Sequence, residues 1–183
     1  MPEKPEKINK EDGTIEWKLK GKLHREDGPA IELYDGSKIW FLDGKQHRSN
    51  GPAVEHFDGT KEWWLSGFLH REDGPAIIES NGTQEWHQQG NYHRVDGPAV
   101  IRNDGSKQWW VNGLRHRVDG PAVIEEHEIR QWWLNGVLHR ENGPAIEYED
   151  GIKEWYLLGK QVTEEVVMNV TERDKFLKNN NKT

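Results

Sequence analysis

A chain of 183 residues that is 33% hydrophobic and 31% charged, with a mean hydropathy of -1.02, leaves little apolar material for an ordinary core. Its formal net charge of -7 argues against broad nucleic-acid binding, which depends on Lys and Arg meeting phosphates. The lack of Cys excludes disulfides and thiolate metal sites and permits a reducing compartment. What apolar material there is lies concentrated in 10 Trp, and one Trp can bury ~150–250 Å².

Residues 1–12 are charged, carry Pro2 and Pro5, and lack the apolar stretch of a signal peptide. They are expected to form a flexible tail. No apolar run of about 18 residues follows, so a cytoplasmic location is expected and a membrane partner is not.

From Gly13 to residue 162 the sequence repeats itself. Trp17, Trp40, Trp63, Trp86, Trp109, Trp132 and Trp155 stand 23 residues apart at every step, and so do the glycines from Gly21 to Gly159. A His-Arg-x-(Asp/Asn)-Gly-Pro-Ala segment begins at His24, His47, His70, His93, His116 and His139. Lys61–Leu65 is rich in aromatic and aliphatic residues and reads as a strand. Ser66-Gly67 supplies the positive φ of a tight turn, and Leu69-His70-Arg71 continues as a short strand. Glu72-Asp73-Gly74-Pro75 is expected as a second turn with Gly74 at positive φ. Ala76–Glu79 returns, and Asn81-Gly82 turns the chain into the next unit. The expectation is all-β: an elongated antiparallel meander of seven 23-residue hairpin repeats over 13–162. Strands ~4.8 Å apart would repeat equivalent residues every ~10 Å, for a length of roughly 65 Å.

Beyond Gln161 the pattern changes. Thr163 followed by Glu164 and Glu165 predicts a capped helix start, and Val166, Val170 and Leu177 share one helical face. A short helix over 163–178 is expected to cover the last sheet edge, with 179–183 as a frayed tail.

The unit Trp109-Trp110-Val111-Asn112-Gly113-Leu114-Arg115-His116 resembles a MORN-type repeat (membrane occupation and recognition nexus) in period, aromatic strand, Asn-Gly turn and His. Arg117-Val118-Asp119-Gly120-Pro121-Ala122 replaces that family's Gly-x-Gly, and Lys107-Gln108-Trp109 replaces its Tyr-x-Gly opening. The chain is similar to a MORN-like variant found in uncharacterised phage, giant-virus and bacterial repeat proteins. The resemblance implies a scaffold or a protein- or lipid-binding module; the net charge of -7 gives lipid binding little help.

Residues recurring ~10 Å apart cannot share one metal ion, whose ligands must converge to ~2.0–2.1 Å. Each repeat His is therefore expected to pack beside its turn and bond a backbone carbonyl, and each Arg to pair with a nearby carboxylate. No nucleophile elbow, phosphate loop or asymmetric triad is present, so neither an enzyme nor a cofactor is expected. The varying positions are the informative ones. Phe41, Trp64, His87, Trp110, Trp133 and Tyr156 follow the invariant Trp and should point to the other strand face. With Arg71, Arg94 and Arg117 they form the candidate binding surface. The leading expectation is a non-enzymatic scaffold that binds a protein through this aromatic face. The alternative is a phage-type protein sequestering a nucleotide-like ligand between Trp and Arg. A homodimer is left open.

Overall fold

The computed structural model describes residues 3–180. The fold is an antiparallel β-meander with a helical segment at its C-terminal end. It falls into two units, the first ending at Asn91 and the second beginning at Tyr92.

In the first unit a ladder runs through Glu6–Asn9, Ile15–Leu19, Ile31–Glu32, Lys38–Ile39, Val54–Glu55, Lys61–Glu62, Ile77–Ile78 and Gln84–Glu85. In the second unit it runs through Val100–Ile101, Lys107–Gln108, Val123–Ile124, Arg130–Gln131, Ile146–Glu147, Lys153–Leu157 and Lys160–Val162. The side chains most deeply buried between strands are small. Ala30, Ala53, Ala76, Ala99, Ala122 and Ala145, the last residues of the repeated segment, are all fully buried.

The expected five-residue strand is interrupted inside the array. Lys61–Glu62 pairs in the ladder, whereas Trp64–Leu65 leaves it to form a separate hairpin with Phe68–Leu69. Trp63 sits at the break: its N–H donates to the Ala76 carbonyl and its own carbonyl accepts from His70 N–H. The same break recurs at Trp40, Trp109 and Trp132. Only at the two ends does the strand stay whole, as Ile15–Leu19 and Lys153–Leu157, because there a longer partner pairs along it.

Residues 6–9 correct the expectation of a flexible tail. Asp12-Gly13-Thr14 makes the same turn as Asp35-Gly36-Ser37, with Thr14 N–H bonded to Asp12 Oδ1 at 2.9 Å. The turn folds Glu6–Asn9 back onto Ile15–Leu19, which gives the first repeat a strand partner on its N-terminal side.

The C-terminal segment is two helices, α1 (Glu164–Met168) and α2 (Val170–Asn180), rather than one. Thr163 caps α1 as expected, accepting from Val166 N–H. Asn169 then ends it and accepts from the N–H groups of Thr171 and Glu172 to start α2. Val167 is the fully buried anchor, while Val170 is exposed. Asn179 and Asn180 are helical, and Asn180 accepts from Lys160 Nζ at 2.7 Å; 181–183 lie outside the described residues. No helix among the described residues is long and apolar enough to cross a membrane.

Candidate functional site

The recurrent His-Arg-x-Asp-Gly-Pro-Ala segment is a packing device in which every polar group has a local task. The guanidinium lies over the invariant indole of its own repeat. Its carbon is 4.1 Å from the ring centre for Arg25 on Trp17 and Arg71 on Trp63, 3.9 Å for Arg48 on Trp40, 4.0 Å for Arg117 on Trp109 and 3.7 Å for Arg140 on Trp132. Such a stack contributes about 0.5–2 kcal/mol depending on desolvation. Nη1 donates to the proline carbonyl four residues on, as in Arg71 to Pro75 at 3.3 Å, Arg94 to Pro98 at 3.3 Å and Arg117 to Pro121 at 3.2 Å. Nε donates to the Asp two residues on, at 2.8 Å for Arg71 and 2.9 Å for Arg94 and Arg117. That bond holds Asp27, Asp73, Asp96 and Asp119 below the ordinary carboxylate pKa.

The glycine of this segment has a different role from the one expected. None of Gly28, Gly51, Gly74, Gly97, Gly120 and Gly143 has positive φ. A Cβ on Gly74 would instead stand 3.0 Å from the Arg71 guanidinium carbon, and one on Gly143 only 2.7 Å from that of Arg140. The guanidinium is held between an indole on one side and a bare Cα on the other. Steric room, rather than backbone freedom, selects glycine here.

The histidines also differ from expectation. Each accepts a bond at Nδ1 from a backbone N–H 19 residues on: Asp43 for His24, Ser66 for His47, Gln89 for His70, Asn112 for His93, Asn135 for His116 and Leu158 for His139. These donors are the first residues of the next x-Gly turn, all near φ +50°. A backbone N–H left out of the strand ladder needs an acceptor, and here the ring nitrogen of the preceding repeat supplies it. At His24 and His116 the same nitrogen also lies 2.9 Å from Asp43 Oδ1 and 2.8 Å from Asn135 Oδ1. Among the described residues no three metal-ligating side chains converge.

A row of small hydroxyls, unnoticed in the sequence, does similar work. Ser37 Oγ accepts from Phe57 N–H at 3.0 Å, Thr60 Oγ1 from Ser80 N–H at 3.1 Å, and Ser106 Oγ from Glu126 N–H at 3.1 Å. Ser37 and Ser106 are buried. Their one sequence signal is the Ser or Thr at Thr14, Ser37, Thr60, Thr83 and Ser106, each after an Asp-Gly or Asn-Gly pair, which ordinarily reads as turn chemistry alone.

The varying aromatic row lies on the hairpins. Phe41, Trp64, Trp110, Trp133 and Tyr156 are half-buried, and His87 is 5% exposed. Each polar tip is tied to the residue two positions before it. Trp64 Nε1 donates to Glu62 at 2.7 Å, Trp110 Nε1 to Gln108 at 3.0 Å, Trp133 Nε1 to Gln131 at 2.9 Å and Tyr156 Oη to Glu154 at 2.8 Å, while His87 Nε2 lies 3.1 Å from Glu85. The Glu154 bond pushes the Tyr156 phenol pKa up. The side chains that face outward are their neighbours beside the turns: Leu65 with Phe68, and Leu114 and Val137. Leu114 and Val137 lie over Gly136 and Gly159 of the following turns. Tyr34 at 79% and Phe57 at 73% exposure add an outward aromatic pair on the ladder side of the first unit.

Arg115 stands apart from the expected set. It occupies the position held elsewhere by Leu23, Gln46, Leu69, Tyr92, Leu138 and Gln161, and it lies opposite Trp110 in its hairpin. Its guanidinium carbon is 5.0 Å from the Trp110 ring centre and 5.2 Å from that of Trp133. Tyr92 leans on Trp110 at 5.3 Å between centroids. Burial lowers the Arg115 pKa; the charge of Glu125 acts against that and the charge of Arg102 acts with it. Arg115 Nε is buried with no hydrogen-bond acceptor.

Between successive repeated segments of the first unit lie open clefts, about 480 Å³ beside Arg25, Pro29 and Trp40 and about 730 Å³ beside Arg48, Trp63 and Arg71. Both are walled by guanidinium groups already stacked and bonded within the repeats. No protein-family model matches the chain, and no curated protein matches it.

Proposed function

We propose that this chain is a MORN-like repeat scaffold that works in the cytoplasm as a non-enzymatic adaptor, binding another protein through the face made by its hairpins. The observation that carries the reading is a division of labour. The recurrent His and Ser/Thr bond one repeat to the next and the recurrent Arg, Gly and Ala pack each repeat, while the apolar side chains left outward occupy positions that differ between repeats. Leu65 and Phe68 in the first unit, and Leu114 and Val137 in the second, each lie beside half-buried aromatics and offer apolar area with indole edges, the composition of a recognition surface. The Cys-free composition suits a reducing compartment.

The test places a photo-crosslinking residue at Phe68 or Leu114, with Lys61 on the ladder as control. The captured protein is then purified and bound to the intact chain. The reading expects a saturable complex that F68S and L114S weaken and K61A does not. A complex indifferent to both hairpin substitutions would contradict it, and capture of a second copy would make the chain a homodimer. Sequestration of a nucleotide-like ligand is the competing reading. A rise in melting temperature with a nucleotide would favour it.

A further inference from the structure

The repeats on either side of Arg115 carry a coordinated set of changes. In most repeats the residue before the invariant Trp is a carboxylate: Glu16, Glu62, Glu85 and Glu154. At the two positions flanking Arg115 it is an amide, Gln108 and Gln131. Each amide keeps the bond to its indole Nε1, at 3.0 and 2.9 Å, and so preserves the geometry while removing a negative charge. In the same stretch Arg102 replaces the Glu found at Glu79 and Glu125. An acidic chain has thus been made locally cationic around one guanidinium. No ion pair or hydrogen bond engages that guanidinium among the described residues, and Trp110 and Trp133 both lie about one ring-stacking distance away.

The chemistry of the gap narrows the ligand. With Trp110 and Trp133 beside it and no acceptor on it among the described residues, the Arg115 guanidinium keeps its N–H donors unused. A guanidinium edge matches a planar two-oxygen anion, and the low polarity of the walls strengthens the pairing. One further cation, Arg102, is offset by Glu125, so the local balance suits a single negative charge rather than a phosphate dianion.

Resting on the protein-binding reading above, we propose that Arg115, between Trp110 and Trp133, is an anchor site for a carboxylate presented by the protein partner, either an acidic side chain or a chain end.

The experiment uses the full chain labelled with ¹⁵N and follows the indole N–H signals of Trp110 and Trp133 and the Arg115 Nε–H. Hexaglutamate, hexaglutamine and inorganic phosphate are titrated in turn. Saturable shifts are expected with hexaglutamate and not with hexaglutamine. R115L should fold, because Leu holds the equivalent position at Leu23, Leu69 and Leu138, and should lose affinity by roughly tenfold or more. Q108E, which restores the carboxylate of the other repeats, should weaken binding by a smaller factor. Shifts that survive R115L, no shift with hexaglutamate, or tighter binding of phosphate than of the carboxylate would each overturn the proposal. If hexaglutamate fails while the purified partner still needs Phe68 and Leu114, the anchor falls and the protein-binding reading stands. If hexaglutamate binds through Arg115 while no protein complex forms, the reading falls and the site stands.

Discussion

The contact between Arg71 and Gly74 shows how one absent methyl group sets a fold. Arg71 is fixed by the Trp63 face, Asp73 and the Pro75 carbonyl, so it cannot yield to a Cβ placed 3.0 Å away. We expect G74A to destabilise by about 1–2 kcal/mol through that overlap. In an R71A background the same change should become neutral or stabilising. Gly74 lies outside the left-handed region, so alanine then only narrows the unfolded ensemble. A double-mutant cycle in denaturant measures this sign reversal; additive losses would mean that the glycine serves the backbone after all. The Arg–Asp bonds also give the acid behaviour a direction. Asp27, Asp73, Asp96 and Asp119 have folded-state pKa values depressed below 3.8. Their contribution is therefore present above that value and is lost as the pH falls through the lower folded values. The melting temperature should drop across that window, and replacing all four with Asn should flatten the drop. Asn142 already takes this place beside Arg140, which shows the substitution is tolerated.

At the scale of the hairpin, the x-Gly turn carries a cost that differs from repeat to repeat. Lys20, Asp43, Ser66, Gln89, Asn112, Asn135 and Leu158 all sit near φ +50°, with a glycine at positive φ following each. Two successive positive φ values define the turn that matches strand twist, and Asn is the side chain that best tolerates its first position. Leu158 is the least suited of the set. L158N should stabilise the last hairpin by about 1 kcal/mol and leave the Leu158 N–H bond to His139 Nδ1 in place. Thermal unfolding monitored by CD checks this, and a loss of stability would show that the Leu side chain packs against something more valuable than its strain. The same backbone geometry explains why the His row was misread. A sequence displays the turn and the ring as separate motifs, whereas the bond joins a ring to a turn 19 residues away.

For the molecule as a whole, the period made most of the architecture legible. Seven Trp in register specify an antiparallel meander with tight turns, and Thr163 with two following carboxylates specifies the helix cap. What stayed hidden depends on where side chains meet in three dimensions. Gly74 reads as a turn residue until the guanidinium is seen against its Cα, and Ser106 reads as part of an Asx turn until Glu126 N–H is found on its hydroxyl. Glu6–Asn9 looked like a tail because charge masked a strand whose partner lies across Asp12-Gly13. Arg115 is hard to read from sequence because its row already varies, with Leu, Gln and Tyr at the equivalent positions, unlike the invariant Trp row. The account rests on one separation: recurring side chains hold the repeats together, and the varying outward ones are free to bind. Denaturant unfolding of two matched sets of variants tests it most directly. H70A, R71A and S106A form one set, and Y34S, F57S, F68S and L114S the other. The account predicts losses of about 1 kcal/mol or more for each member of the first set and changes within about 0.5 kcal/mol for the second. Equal losses in both sets would contradict it, because the outward residues would then belong to the structure rather than to a partner.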